Sequence, residues 1–120
     1  MSSKITLETE DCGSFLLLKL EGELSERTTG AFKKTASAEI DERGHTHMVV
    51  DFKDCAYVNS VGIAALHVLG RKPANLGGKL GVINPNDSVR DVISTTPDDG
   101  SLLREYKDLD EAASDLSEAE

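Results

Sequence analysis

The chain has 120 residues, 38% of them hydrophobic and 29% charged, which suits one globular domain with a single core. Its net charge of −9 argues against nucleic acid, whose binding rests on Lys and Arg neutralising phosphates. No apolar run approaches a membrane span, the N-terminus lacks the apolar core of a signal peptide, and only Cys12 and Cys55 are present, so a cytoplasmic protein with free thiols is expected.

Ile5, Leu7 and Thr9 alternate with polar residues and predict a half-buried strand, followed by a turn at Asp11-Cys12-Gly13-Ser14 and a second strand over Phe15 to Leu20. Gly22-Glu23-Leu24 leaves that strand. Ser25 is placed to cap a helix beginning at Glu26, with Phe32, Ala36 and Ile40 on one face and Arg43-Gly44 at its end. Met48 to Phe52, apolar at nearly every position, predicts a central strand covered on both faces. A short polar loop then delivers Ser60 to the start of a helix carrying Val61, Ala64, Ala65, Leu66, Val68 and Leu69. Gly70 and Pro73 are expected to weaken or kink its far end, and Gly77-Gly78 to close it. Leu80 to Ile83 is the next strand. Asp87 or Ser88 caps a short helix with Val89, Val92 and Ile93 inward, and Thr96-Pro97-Asp98-Asp99-Gly100 breaks it. Leu102-Leu103 begins a last strand, and Leu109, Ala112, Ala113 and Leu116 mark an acidic C-terminal helix over 108–118. The stretch from Glu105 to Glu120 carries −6 of the total charge, a solvated face or a match for a basic protein partner. The order β-β-α-β-α-β-α-β-α implies an α/β fold with a mostly parallel sheet behind an N-terminal hairpin.

Candidate chemistry is sparse. His45-x-His47 has no Cys or carboxylate cluster beside it and reads as a solvated approach to the central strand, not a metal site. His67 lies within an apolar helix. Cys55, near a helix N-terminus, has no assigned base and reads as a structural thiol. Gly77-Gly78-Lys79 ends a helix and is no P-loop. No enzyme, cofactor or metal is expected. Ser60 stands out because a helix N-terminus carries unpaired N–H groups and partial positive charge, a place where a phosphate is tolerated. By residue type alone it reads first as an ordinary helix cap.

With these elements in order, the chain resembles the STAS domain, the family of bacterial anti-sigma-factor antagonists and of the cytoplasmic tails of sulfate transporters. The resemblance spans nearly the whole chain, 1–120, as one domain. Gly22-Glu23-Leu24 looks like the family's G-E-L-D, Val49-Val50-Asp51-Phe52 like the strand before its switch loop, and Asn59-Ser60-Val61-Gly62 like D-S-[SA]-G. Gly77-Gly78-Lys79-Leu80 with Ile83-Asn84-Pro85 resembles its helix stop, strand and turn. Three residues depart from the pattern: Ser25 and Asn59 replace aspartates, and Val61 replaces a smaller residue. The resemblance implies a STAS-like sheet of about four or five strands with about four helices. It also implies a partner-switching antagonist that binds an anti-sigma factor acting as a serine protein kinase. Ser60 would be phosphorylated by that kinase and restored by a PP2C-type phosphatase. Ser25, Thr28, Asn59, Ser60, Val61, Gly62 and Ile63 are then the expected partner-binding residues. The alternative is an unphosphorylated STAS accessory subunit of a membrane complex transporting lipid or anions, without itself inserting in the membrane.

Overall fold

The computed structural model describes residues 5–13, 15–43, 47–75, 79–95 and 103–118. Expectations resting on Ser14, Gly44, His45, Gly77, Gly78, Thr96 to Gly100 and Leu102 lie outside them, as do the side chains of Ile40, Leu69 and Pro73. Five strands form one sheet in the order β1-β2-β3-β4-β5: β1 (Ile5–Asp11), β2 (Leu16–Leu24), β3 (Met48–Val58), β4 (Leu80–Ile83) and β5 (Leu103–Glu105). Four helices accompany them: α1 (Thr29–Arg43), α2 (Ser60–Asn75), α3 (Asp87–Thr95) and α4 (Leu109–Glu118). Only β1 and β2 are antiparallel; every later pair is parallel, as helix-length connections require.

Alternation along each strand divides the core between two faces. Leu16, Leu18, Leu20, Met48, Val50, Phe52, Leu80 and Val82 pack with Phe32 and Ala36 of α1, Ile63 and Leu66 of α2, and Val89 of α3. Crossovers of one hand, stepping in one direction across the sheet, bring their helices to the same side. The opposite face sets Leu17, Val49 and Ile83 against Phe15, Tyr106 and Ala112 and Leu116 of α4. Side chains such as Phe32 and Phe52, at most 1% exposed, each contribute about 1.5–3 kcal/mol by leaving water.

Boundaries differ from the sequence reading at β2, β3, α1 and α3, each for a physical reason. The stretch read as a polar loop after Phe52 is strand: β3 continues to Val58 beside β2, which itself continues through Gly22-Glu23-Leu24. The pairing jumps between Lys19/Glu21 and between Gly22/Glu23, so β3 holds two extra residues opposite β2. These bulges bury Phe52, Cys55 and Val58 at intervals of three, a spacing that disguises the strand. Gly22, with φ of 112°, sits at the second bulge, where a side chain would be strained.

The first helix begins at Thr29, not Glu26, because residues from Ser25 to Thr28 close a separate turn. The α3 cap is Asn86, whose Oδ1 accepts from Val89 N at 2.9 Å and whose carbonyl accepts from Arg90 N. Helix α2 runs through Gly70 and Pro73 to Asn75. Finally, Leu109 is 37% exposed; Ala112 and Leu116 supply the buried face of α4.

Candidate functional site

The C-terminal ends of β2 and β3 lie side by side, with Leu24 paired to Val58, and each strand feeds a helix. After β3, Asn59 N donates to Leu24 O at 3.2 Å, which joins the β3–α2 junction to the end of β2. Asn59 caps α2: its Oδ1 accepts from Gly62 N at 3.0 Å and its carbonyl accepts from Ile63 N at 3.0 Å. Gly62 lies against β2 so closely that a Cβ there would stand 2.1 Å from Leu24 O. The same cap leaves Ser60 as the first helical residue. Its hydroxyl is exposed and has no hydrogen-bond partner among the described residues.

After β2, Ser25 and Thr28 shape the turn into α1. Ser25 O accepts from Thr28 N and Thr29 N at 3.0 Å, while Thr28 Oγ1 accepts from Ser25 N and donates to Glu23 O at 2.9 Å. Ser25 Oγ donates to Glu23 Oε2. Both residues are at most 3% exposed. They build the turn, and their side chains are nearly inaccessible at the surface. Ile63 and Gly62 are buried as well, Ile63 in the core and Gly62 against Leu24. Of the seven expected positions, Ser60 and Val61 are exposed and Asn59 is half-buried.

The structure adds Tyr57, Ala64 and Val68 to this surface, beside Val61, which the sequence reading already placed there. Tyr57, Val61 and Val68 are 50%, 47% and 45% exposed, and Ala64 is exposed between the two valines. Val61, Ala64 and Val68 follow helical spacing, so Ser60 borders an apolar stripe along α2. The signal was available: α2 is apolar on two sides, and only one can face the sheet. Glu26 was also missed. Its Oε2 accepts from Asn59 Nδ2 at 2.5 Å, and that amide holds its carboxyl below the ordinary value.

The remaining candidates serve the fold. Cys55 is buried with its thiol donating to Tyr57 O, and burial pushes its pKa up, the opposite of an activated nucleophile. His47 is buried, not solvated: its Nδ1 accepts from Lys79 N at 3.0 Å and its carbonyl accepts from Leu16 N. His67, on α2, is buried. Among the described residues no group of three or more His, Cys, Asp or Glu could hold a metal ion, and no helix is long and apolar enough to cross a membrane. A hollow of about 440 Å³ lies on the α4 side of the sheet, where Lys19, Asp51, Lys53 and Asn84 offer mixed charge.

A five-stranded sheet with its first hairpin antiparallel, and a serine at the α2 N-terminus beside the β2 end, define an α/β domain of one architecture. The family model of the STAS domain matches residues 5–112, and the chain belongs to that family. No curated protein matches it by sequence. Among solved structures, protein TM1081 of Thermotoga maritima is 20% identical, with 92% of this chain and 94% of that one covered and a TM-score of 0.79. The anti-sigma factor antagonist SpoIIAA, from Bacillus and also solved in phosphorylated form, is 18% identical in its unphosphorylated structure, with 95% and 98% covered and a TM-score of 0.68. The murine anion transporter Slc26a9 is 14% identical, with 98% of this chain but 23% of that one covered and a TM-score of 0.74. These likenesses show a shared fold.

Proposed function

We propose that this protein is a partner-switching antagonist. In this reading it binds an anti-sigma factor that is also a serine kinase, and phosphorylation of Ser60 releases it. One observation carries the reading: Ser60 offers an exposed hydroxyl, unpartnered among the described residues, beside an apolar surface stripe, while Asn59 does the capping. The serine is therefore not needed to hold the helix. A phosphate there adds about −1.5 to −2 charges at the edge of a surface that a partner would desolvate. A loss of about 1.4 kcal/mol already weakens binding tenfold, so release requires no refolding. The domain acts by binding and performs no chemistry; a PP2C-type phosphatase would reset it.

The test is capture of the partner from the native cell, followed by intact-mass measurement after incubation with ATP and by affinities for wild type and Ser60→Asp. One added phosphate on Ser60 and weaker binding of Ser60→Asp are expected. Equal affinities would sink the switch. Co-purification with a permease and its ATPase, without added mass, would instead favour an accessory role in a transport complex, the reading that the Slc26a9 fold keeps in play.

A further inference from the structure

We infer that Glu26, on the turn leading into α1, supplies the negative charge of the Ser60 site and is held there by Asn59. The inference rests on reading Ser60 as the modified residue. Asn59 uses both ends of its amide: Oδ1 accepts from Gly62 N at 3.0 Å, and Nδ2 donates to Glu26 Oε2 at 2.5 Å. Only an amide does both. A carboxylate at this position would still accept from Gly62 but would oppose the carboxylate of Glu26. A serine cap carries no nitrogen to donate.

Asn59 and Glu26 are thus a matched pair, joined across 33 positions of sequence. The STAS pattern places a carboxylate immediately before the serine; here the carboxylate arrives from the neighbouring turn. Glu26 is fully exposed, and its carboxyl is held below its ordinary value first by the Asn59 amide, with the adjacent Arg27 adding to the effect. It is therefore ionised at neutral pH. Glu23, the other carboxylate of this turn, is engaged by Ser25 Oγ.

A phosphate on Ser60 would stand between two influences. The unpaired N–H groups of the α2 first turn favour its dianion, and the carboxylate of Glu26 opposes it. A partner that reads charge beside the serine must then read the α1 turn together with α2, so the recognition surface spans two elements.

The effect can be measured without any partner, on the full chain with phosphoserine installed at position 60 during synthesis. The ³¹P NMR midpoint of the second phosphate ionisation is compared among the otherwise wild-type protein, Glu26→Gln and Glu8→Gln. One carboxylate held on the neighbouring Asn59 in a solvent-exposed setting should raise that midpoint by about half a pH unit, roughly a threefold change in the ionisation constant. Glu26→Gln should remove the difference, whereas Glu8→Gln on β1 should leave the midpoint in place. An unchanged midpoint in Glu26→Gln, or an equal fall in Glu8→Gln, would overturn the inference.

In the unphosphorylated protein, Asn59→Asp should lower the urea midpoint when Glu26 is present and much less in Glu26→Gln. Strict additivity would refute the pairing. Failure of these tests leaves Ser60 as the switch untouched. Failure of the switch would appear as partner binding indifferent to Ser60 phosphorylation.

Discussion

The backbone of Gly62 rests on the carbonyl of Leu24: a Cβ at position 62 would lie 2.1 Å from Leu24 O and 2.7 Å from its carbonyl carbon. That carbonyl also accepts from Asn59 N, so one oxygen sets the height of α2 above the end of β2. Gly62→Ala is expected to push α2 away from the sheet. The obstructing atoms are backbone and cannot rotate aside, so the cost should reach the upper part of the overpacking range, about 3 kcal/mol. Urea unfolding measures it; a cost under about 0.5 kcal/mol would show that the contact is slack.

Ser60 should separate stability from binding. Its hydroxyl has no partner among the described residues, so Ser60→Ala should change unfolding free energy by less than about 0.5 kcal/mol. In the Glu26→Gln background, Ser60→Asp should stabilise the fold by about 0.3–1 kcal/mol, because its carboxylate then meets the positive end of α2 without the opposing charge of Glu26. The same substitution should weaken partner binding at least tenfold. Denaturation and calorimetric titration with the captured partner check the two signs; a destabilised Ser60→Asp in that background would contradict the dipole argument.

The apolar stripe can be tested independently of the serine. Val61→Ser and Val68→Ser each remove an exposed branched side chain, so unfolding midpoints should barely move. If the stripe is desolvated in the complex, each change should cost about 1–2 kcal/mol of binding, roughly a 5- to 30-fold loss. Unchanged affinity for both variants would place the partner elsewhere.

On the opposite face, Tyr106 OH donates to Asp115 Oδ2 at 2.5 Å, and Lys79 Nζ and Arg104 approach the same oxygen at 3.4 and 3.8 Å. The tyrosine hydrogen bond, then Lys79 and Arg104, hold the Asp115 carboxyl below its ordinary value of 3.8. A depressed folded value contributes stability that is present above 3.8 and is lost as pH falls through the folded value. Burial and then Asp115 raise the Tyr106 phenol above its ordinary value of 10, so that contribution fades as pH rises beyond 10. Tyr106→Phe should cost about 1 kcal/mol at neutral pH and flatten both limbs of the stability–pH curve. A curve of unchanged shape would remove this contact from the docking of α4.

Much of the fold was legible because its signals are local. The alternation of Ile5, Leu7 and Thr9, the apolar run from Met48, and the strand Leu80–Ile83 all appear in the structure as read. The continuation of β3 was not, since Lys53, Asp54, Ala56 and Tyr57 are exposed and each resembles a loop residue taken singly. Pairing with β2 makes them strand, and that pairing is non-local. The α1 start was misplaced for a related reason: Ser25 has the chemistry of a cap, but Thr28 and Glu23 recruit it into a turn instead.

The sequence by itself determined the element order, the parallel α/β plan and the position of Ser60 at the head of α2. These follow from periodicity, turn chemistry and motif spacing, which act over a few residues. Tertiary structure decided what surrounds that serine. It buried Ser25, Thr28 and Ile63, and left Val61 and Val68 facing outward. It also brought Glu26 to Asn59 across 33 positions. Those outcomes depend on how two adjacent strands end beside each other and on the height at which a glycine lets a helix settle. Neither is encoded by any one segment; both arise where separate segments meet.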